Sequence, residues 1–335
     1  MNEQTVECVP NFSEGGDTTK IRKILDSIET TSGVRLLHVD RGMDAGRTVV
    51  TFAGSPLAVC DAAFKAIRTA SEIIDMRLHR GKHPRIGSAD VCPLIPLRGI
   101  DMKTVVELAR KLAERVGTEL DIPVYCYEHA AFVPERRSLA FCRRGGYEAL
   151  PEKLAAQKPD FGPSEFSERV AATGAAIVGA REPLIAVNFN LDTDSKAAAS
   201  RIAAEIRESG NGMKGVRAIG WYIADFGIAQ VSVNLIDIAA APLHNVFEEV
   251  IKRAALQNIK VCGTEIVGLI PEKVLSDAGK YFAAKRQSLK TDKETCCFDN
   301  KRYVEIAVRE MGLDALSPFD VNERILEYVA FKTDE

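Results

Sequence analysis

The sequence predicts an α+β protein of two subdomains, each a β-α-β-β-α-β sheet with helices on one face. Three observations point there. At 335 residues the chain exceeds what one hydrophobic core usually organises, so two domains of ordinary size are expected. Short β-branched runs and stretches of helical spacing follow one another in the same order twice. Between the two series lies Gln157-Lys158-Pro159-Asp160-Phe161-Gly162-Pro163-Ser164, rich in Pro and Gly, and the subdomains are drawn at residues 1–180 and 181–335.

In the first series Val6-Glu7-Cys8-Val9 reads as a strand, and Ile21, Ile24, Leu25 and Ile28 follow at the spacing of an amphipathic helix. Val34 to Val39 is the next apolar run. Arg47 to Phe52 is rich in β-branched residues, Gly54-Ser55-Pro56 breaks it, and Val59 to Met76 has helical periodicity opened by a proline in the first turn. Val91 to Leu97 reads as extended despite two prolines. A helix over Met102 to Val116 and a strand over Val124 to Tyr127 append one α-β unit.

The second series starts with strand Pro183 to Leu191 and a helix from Ser195 to Ser209. Val216 to Ala224 and Ile228 to Ile236 flank Asp225-Phe226-Gly227, a short glycine turn that predicts a hairpin. Helix Pro242 to Leu256 and strand Ile259 to Ile266 complete the order, and a mainly helical tail follows. Each half thus matches the split β-α-β, or ferredoxin-like, arrangement. The first strands end alike, Val9-Pro10-Asn11-Phe12 against Val187-Asn188-Phe189-Asn190, which fits a duplication and equally a chance likeness. Val170 to Ala180, dominated by Ala and Gly, reads as part of a ligand-bearing connector or as a plain linker.

Composition narrows the function. With 46% hydrophobic and 27% charged residues the chain has globular values. Forty-four Lys+Arg against 47 Asp+Glu leave a net charge of −3, without the basic excess that nucleic acid requires. No apolar run approaches the roughly 20 residues of a membrane span, and Met1-Asn2-Glu3-Gln4 does not open a signal peptide. A cytoplasmic protein with neither nucleic-acid nor membrane partner is expected. Eight cysteines are too dilute for a disulfide scaffold. Cys8, Cys60, Cys92, Cys126, Cys142 and Cys262 read as buried thiols, and a bond between adjacent Cys296 and Cys297 would be strained.

Two tempting motifs lose their force in context. Gly210-Asn211-Gly212-Met213-Lys214-Gly215 spells a dinucleotide fingerprint but follows a helix and leads into a strand, the reverse of what that motif needs. His79 and His83 have zinc-ligand spacing, yet Arg80 stands where a metalloprotease has its glutamate, and Gly81 and Pro84 break the helix that would present both. No metal is expected. What stays is a loop, His79-Arg80-Gly81-Lys82-His83-Pro84-Arg85-Ile86-Gly87, dense in titratable and basic groups. A histidine there is a candidate acid-base group, or an incidental member of a solvated loop. Asp40 and Asp90, at strand ends, are candidates to orient it, or serve as turn and capping residues.

Val6-Glu7-Cys8-Val9-Pro10-Asn11-Phe12-Ser13-Glu14-Gly15, Arg47-Thr48-Val49, Ile74-Asp75-Met76, His83-Pro84-Arg85-Ile86-Gly87 and Asp90-Val91-Cys92-Pro93 closely resemble the formiminotransferase domain of formiminotransferase-cyclodeaminase. The likeness runs on through Asp160-Phe161-Gly162-Pro163-Ser164, Ile219-Gly220-Trp221-Tyr222 and Gln230-Val231-Ser232-Val233-Asn234-Leu235. No length is left for a helical cyclodeaminase domain, so the chain resembles a standalone transferase with an N-terminal subdomain that bears the catalytic histidine. The resemblance implies transfer of a formimino group from N-formimino-L-glutamate to tetrahydrofolate, giving 5-formiminotetrahydrofolate and L-glutamate in histidine breakdown. It also implies a homodimer, with folate in a trench between the subdomains.

Carried over residue by residue, the family's catalytic histidine falls on His83, with Asp40 as its candidate supporter. Its folate loop falls on Gly162, Pro163, Ser164, Phe166 and Gly174, and is a few residues longer here. Arg47, Lys82 and Arg85 are the expected partners of substrate carboxylates. Asn11, Asn188, Asn190 and Ser232 are expected to read the pterin ring or to satisfy buried backbone groups. One departure is Gly46, where the family usually has asparagine before Arg-Thr, which leaves the donor less defined than the folate. The alternatives are an enzyme that transfers or cyclises the formyl group of 5-formyltetrahydrofolate, and a folate-binding protein without turnover.

Overall fold

The computed structural model describes residues 4–43, 45–81, 83–223, 227–288 and 299–331. Lys82, the turn at Asp225-Phe226 and the Cys296-Cys297 pair lie outside the described residues. The chain divides into two compact units, residues 1–182 and 183–335.

The first unit runs β1 (Thr5–Cys8), β2 (Asn11–Phe12), α1 (Thr18–Glu29), β3 (Val34–Gly42), β4 (Arg47–Gly54), α2 (Pro56–Ile73), β5 (Ala89–Arg98), α3 (Met102–Leu120) and β6 (Val124–Glu128). Short helices α4 (Leu139–Cys142), α5 (Leu150–Ala156) and α6 (Glu168–Thr173) precede β7 (Ala176–Ala180). Across the sheet the order is β3, β4, then β1 and β2 together, β5, β7 and β6. β3 to β5 pair antiparallel, whereas β5, β7 and β6 are parallel. Helix α1 starts where Asp17 accepts the backbone N–H groups of Thr19 and Lys20, and Ile21, Ile24, Leu25 and Ile28 are buried as their spacing predicts.

Strand alternation sends Val6, Cys8, Val50, Phe52 and Leu94 into one core with α1, α2 and α3. At the β5–β7–β6 end, Tyr125, Tyr127 and Ile177 point the other way, into a second cluster with Leu150, Leu154 and Val170. The Ala- and Gly-rich stretch expected as a connector is α6 and β7, and β7 is a fully buried strand between two others. A strand covered on both faces carries a continuous apolar run instead of alternation, so its period gave no sign of it. A Cβ on Gly179 would come within 2.4 Å of the Tyr127 ring, so only glycine lets the two strands meet there.

The second unit comprises β8 (Ile185–Leu191), α7 (Lys196–Ile206), β9 (Val216–Ile223), β10 (Ile228–Leu235), α8 (Leu243–Ala255), β11 (Val261–Val267), α9 (Glu272–Ser288), α10 (Asn300–Met311), α11 (Val321–Arg324) and α12 (Leu326–Ala330). Its antiparallel order is β11-β8-β10-β9, fourth strand, first, third, second, the same order as β5, β1, β4 and β3. That is the ferredoxin-like order in both units. Val187, Phe189, Leu191, Val231 and Val233 enter the core with α7 and α8. Their alternates Asn188, Asn190, Gln230 and Ser232 face away from it. Residues 210–215 close α7 and lead into β9, with Asn211 left-handed at φ 59°.

Cys262 corrects an expectation. It is exposed, because β11 is an edge strand whose register shifts between Val261 and Gly263. Cys8 and Cys92 are buried neighbours, with sulfurs 3.5 Å apart. Among the described residues, no helix is long and apolar enough to cross a membrane.

Candidate active site

The loop from Ile74 to Ser88 joins α2 to β5, and the turn at residues 43–46 delivers Arg47 to the start of β4. Glycines bring the two segments together. Gly46 is left-handed at φ +64°, and a Cβ there would stand 2.9 Å from the Cα of Gly81. Backbone thus meets backbone at this joint. The His83 N–H donates to the Ala45 carbonyl at 3.3 Å, and the His79 ring bonds the Gly46 carbonyl at 2.9 Å.

Arg47 Nη1 contacts His83 Nε2. A guanidinium has protons to give and no lone pair, so Nε2 is the acceptor and is unprotonated. A neutral ring with Nε2 unprotonated carries its single hydrogen on Nδ1. Burial, then the charges of Arg47 and Arg143, push the imidazole from its ordinary 6.5 down to about 3. His83 is therefore neutral through the physiological range. Arg47 is itself lowered, by burial first and then by Arg143, against the attraction of Asp40 and Asp90.

Asp40 pairs with Val49 across β3 and β4, and Asn11 pairs with the same Val49 from β2, so Asn11 and Asp40 share one face of the sheet. Asn11 Nδ2 donates to the Val9 carbonyl at 3.3 Å. Asp90 is 1% exposed; it accepts the Ile86 N–H at 2.9 Å and Arg143 Nη2 at 2.5 Å. The fork of Arg85 holds a carboxylate already: both Nη atoms donate to Glu148, at 2.8 and 2.7 Å. Tyr147 adds an N–H to the Arg85 carbonyl at 2.8 Å and a hydroxyl to the Ala171 carbonyl at 2.5 Å.

Arg143, Tyr147 and Glu148 were not foreseen. Their local signal is Gly145-Gly146, both left-handed, between Arg143-Arg144 and Tyr147-Glu148. The loop from Gly162 to Gly174 is held at its two ends. Gly162, at φ +82°, lies against Gly117 and the Ile122 carbonyl at the end of α3. Gly174 lies against Ile86 and Gly87, and Ser88 N–H donates to Thr173 O at 2.8 Å while Ala175 N–H donates to Ile86 O at 2.9 Å. One end of the loop is thus stitched to the segment that bears His83. Ser164 and Phe166 are exposed and Pro163 is half-buried.

In the second unit Ser232 pairs with Asn188, and Gln230 sits between Asn190 and Trp221. Trp221 Nε1 donates to Gln230 Oε1 at 3.0 Å, and Gln230 Nε2 donates to Asn190 Oδ1. Asn188 Nδ2 donates to Glu265 at 3.2 Å. The Asn190 Nδ2 is buried without a partner. Asn188, Asn190 and Gln230 are buried, whereas Ser232 is half-buried and its cross-strand neighbour Ile219 is exposed. Among the described residues no three His, Cys, Asp or Glu side chains gather as a metal ion would need.

Comparison with known proteins decides the family. The formiminotransferase domain, N-terminal subdomain, matches residues 5–181, and the formiminotransferase domain matches residues 186–330. The chain belongs to the formiminotransferase domain family. It is 46% identical over 334 residues to formimidoyltransferase-cyclodeaminase of Rattus norvegicus, covering 97% of this chain and 60% of the relative. It thus spans about three fifths of that protein's length. It is 43% identical to glutamate formimidoyltransferase of Thermoplasma acidophilum, covering 83% of this chain and 91% of the relative. The Streptococcus pyogenes protein of the same name is 41% identical, with 83% and 92% covered. In this formiminotransferase domain, the histidine and the arginine that meet come from segments 36 residues apart.

Proposed function

We propose that the chain is a glutamate formimidoyltransferase that moves the formimino group of N-formimino-L-glutamate onto tetrahydrofolate. The observation that carries this reading is a neutral His83 with its Nε2 lone pair turned to Arg47, in a family whose relatives bear that activity as their name. In the reaction, N5 of tetrahydrofolate bonds to the amidine carbon, the bond from that carbon to the glutamate nitrogen breaks, and one proton passes from the first nitrogen to the second. A single neutral imidazole serves both transfers. Such positioned proton transfer contributes about 10²- to 10⁴-fold, and the rest comes from holding the two reactants together.

A pKa of about 3 makes the resting His83 a poor base. A donor carboxylate that draws Arg47 to itself frees Nε2 and offsets the adjacent positive charge, so substrate binding makes the base competent. Asp40 and Asp90 temper the charge on Arg47. Arg85 acts on loop geometry through Glu148, and Asn188, Asn190 and Ser232 are assigned to the pterin. The same reading carries a cytoplasmic homodimer in histidine breakdown.

The test is direct. Purified protein is incubated with tetrahydrofolate and formiminoglutamate, and separately with 5-formyltetrahydrofolate and either glutamate or ATP. Product in the first set supports the assignment, and product only in the second rejects it. His83→Ala should abolish transfer and leave folate affinity within about threefold, since proton transfer acts on the transition state alone.

A further inference from the structure

His79 is the second histidine of the loop, and its contacts define its state. Its Nε2 lies 2.9 Å from the Gly46 carbonyl, which can only accept, so Nε2 carries the hydrogen. Arg85 Nε donates to its Nδ1 at 3.2 Å, so Nδ1 is the lone pair. The ring is neutral and in the tautomer opposite to that of His83. Gly46 immediately precedes Arg47, and Arg85 stands two residues beyond His83. The His79 imidazole therefore spans the two chain segments whose side chains meet as Arg47 and His83. On the Arg85 side the tie is stiff, because Glu148 holds the same guanidinium through two bonds and Tyr147 holds its carbonyl.

We propose that His79 is a positioning residue, whose doubly bonded ring sets the register between Arg47 and His83. It acts through Gly46 and Arg85, the two partners of its ring. Its donor to Gly46 is the half that matters for Arg47; its acceptor for Arg85 anchors the ring. Two side chains separate those halves. Glutamine places an amide N–H near the position of Nε2, and asparagine places a carbonyl near that of Nδ1.

The inference rests on the proposed transfer reaction, and its test keeps the two apart. With wild type turning over, His79→Ala should lower kcat about 10²-fold, the scale expected of a 1 Å misplacement, with the KM for tetrahydrofolate within about threefold. His79→Gln should recover kcat to within about fivefold, and His79→Asn should not. Imidazole 15N spectra supply a readout free of activity: His83 holds its Nδ1–H tautomer in wild type and His79→Gln, and becomes a tautomer mixture in His79→Ala. Full kcat in His79→Ala, or a folded but inactive His79→Ala whose His83 signals are unmoved, overturns the proposal. If wild type performs no transfer, the functional reading fails by itself, and unmoved His83 signals in His79→Ala still overturn the positioning role.

Discussion

Replacing Arg47 with glutamine tests how the charge state of His83 is set. In the wild type the imidazole falls from 6.5 to about 3, on the order of 5 kcal/mol against the charged form at about 1.4 kcal/mol per pH unit. Burial is the largest contribution, followed by Arg47 and then Arg143. Two unit charges about 4 Å apart repel by about 1 kcal/mol in water and about 4 kcal/mol at the effective dielectric near a protein surface. The site is partly buried, so Arg47→Gln should move His83 upward by about one to two pH units, into the range of about 4 to 5. Burial and Arg143 stay in place, which keeps it below 6.5. The assay is NMR titration of the histidine 13Cε1 signals from pH 8 to 4.5, with His83→Gln to assign the resonance. Wild-type His83 should show no midpoint in that window, and Arg47→Gln should begin to titrate inside it. A wild-type midpoint near 6.5, or no movement in the variant, refutes the reasoning.

Stability should follow the same group. Because the folded pKa lies below the unfolded one, only the unfolded chain takes up this proton between pH 6.5 and about 3, so the stabilisation is complete above 6.5 and is lost as pH falls. Urea unfolding between pH 6 and 4 should show wild type losing about 1.4 kcal/mol per pH unit more than His83→Gln. Gly174→Ala drives a Cβ to 2.3 Å from the Ile86 carbonyl at a left-handed position, and should cost about 3 kcal/mol or more in unfolding free energy. Asp160 and Arg136 pair at 2.5 Å with only 10% and 11% of their side chains exposed. Asp160→Asn leaves that guanidinium buried without its countercharge, and chemical denaturation should register a loss of about 3 to 5 kcal/mol.

Local patterns carried most of the fold. The run Arg47 to Phe52 and the spacing of Ile21, Ile24, Leu25 and Ile28 are read by the same sterics and solvation that form β4 and α1. Ala176 to Ala180 escaped because a strand buried on both faces has no period, and Cys262 because an edge bulge turned it outward. The site was legible as a set of residues and not as a set of contacts. His83 and Arg47 stood out singly, yet the bond between them depends on how two glycines let two loops touch. The partners Arg143 and Glu148 are 53 and 63 residues from Asp90 and Arg85, and ion pairs that distant leave no spacing to recognise.

Backbone seats backbone at Gly46 on Gly81, Gly87 on Gly174 and Gly117 on Gly162. These joints tolerate no side chain. The exposed stretch from Ser164 to Ser167 runs from the joint at Gly162 to the start of α6, so residues added there would bow outward between two fixed posts. Lengthening it is cheap, since doubling a flexible loop costs only about 0.6 kcal/mol. Changes in that stretch can therefore reshape the surface it presents while the joint of Gly174 on Ile86 and Gly87 stays where it is.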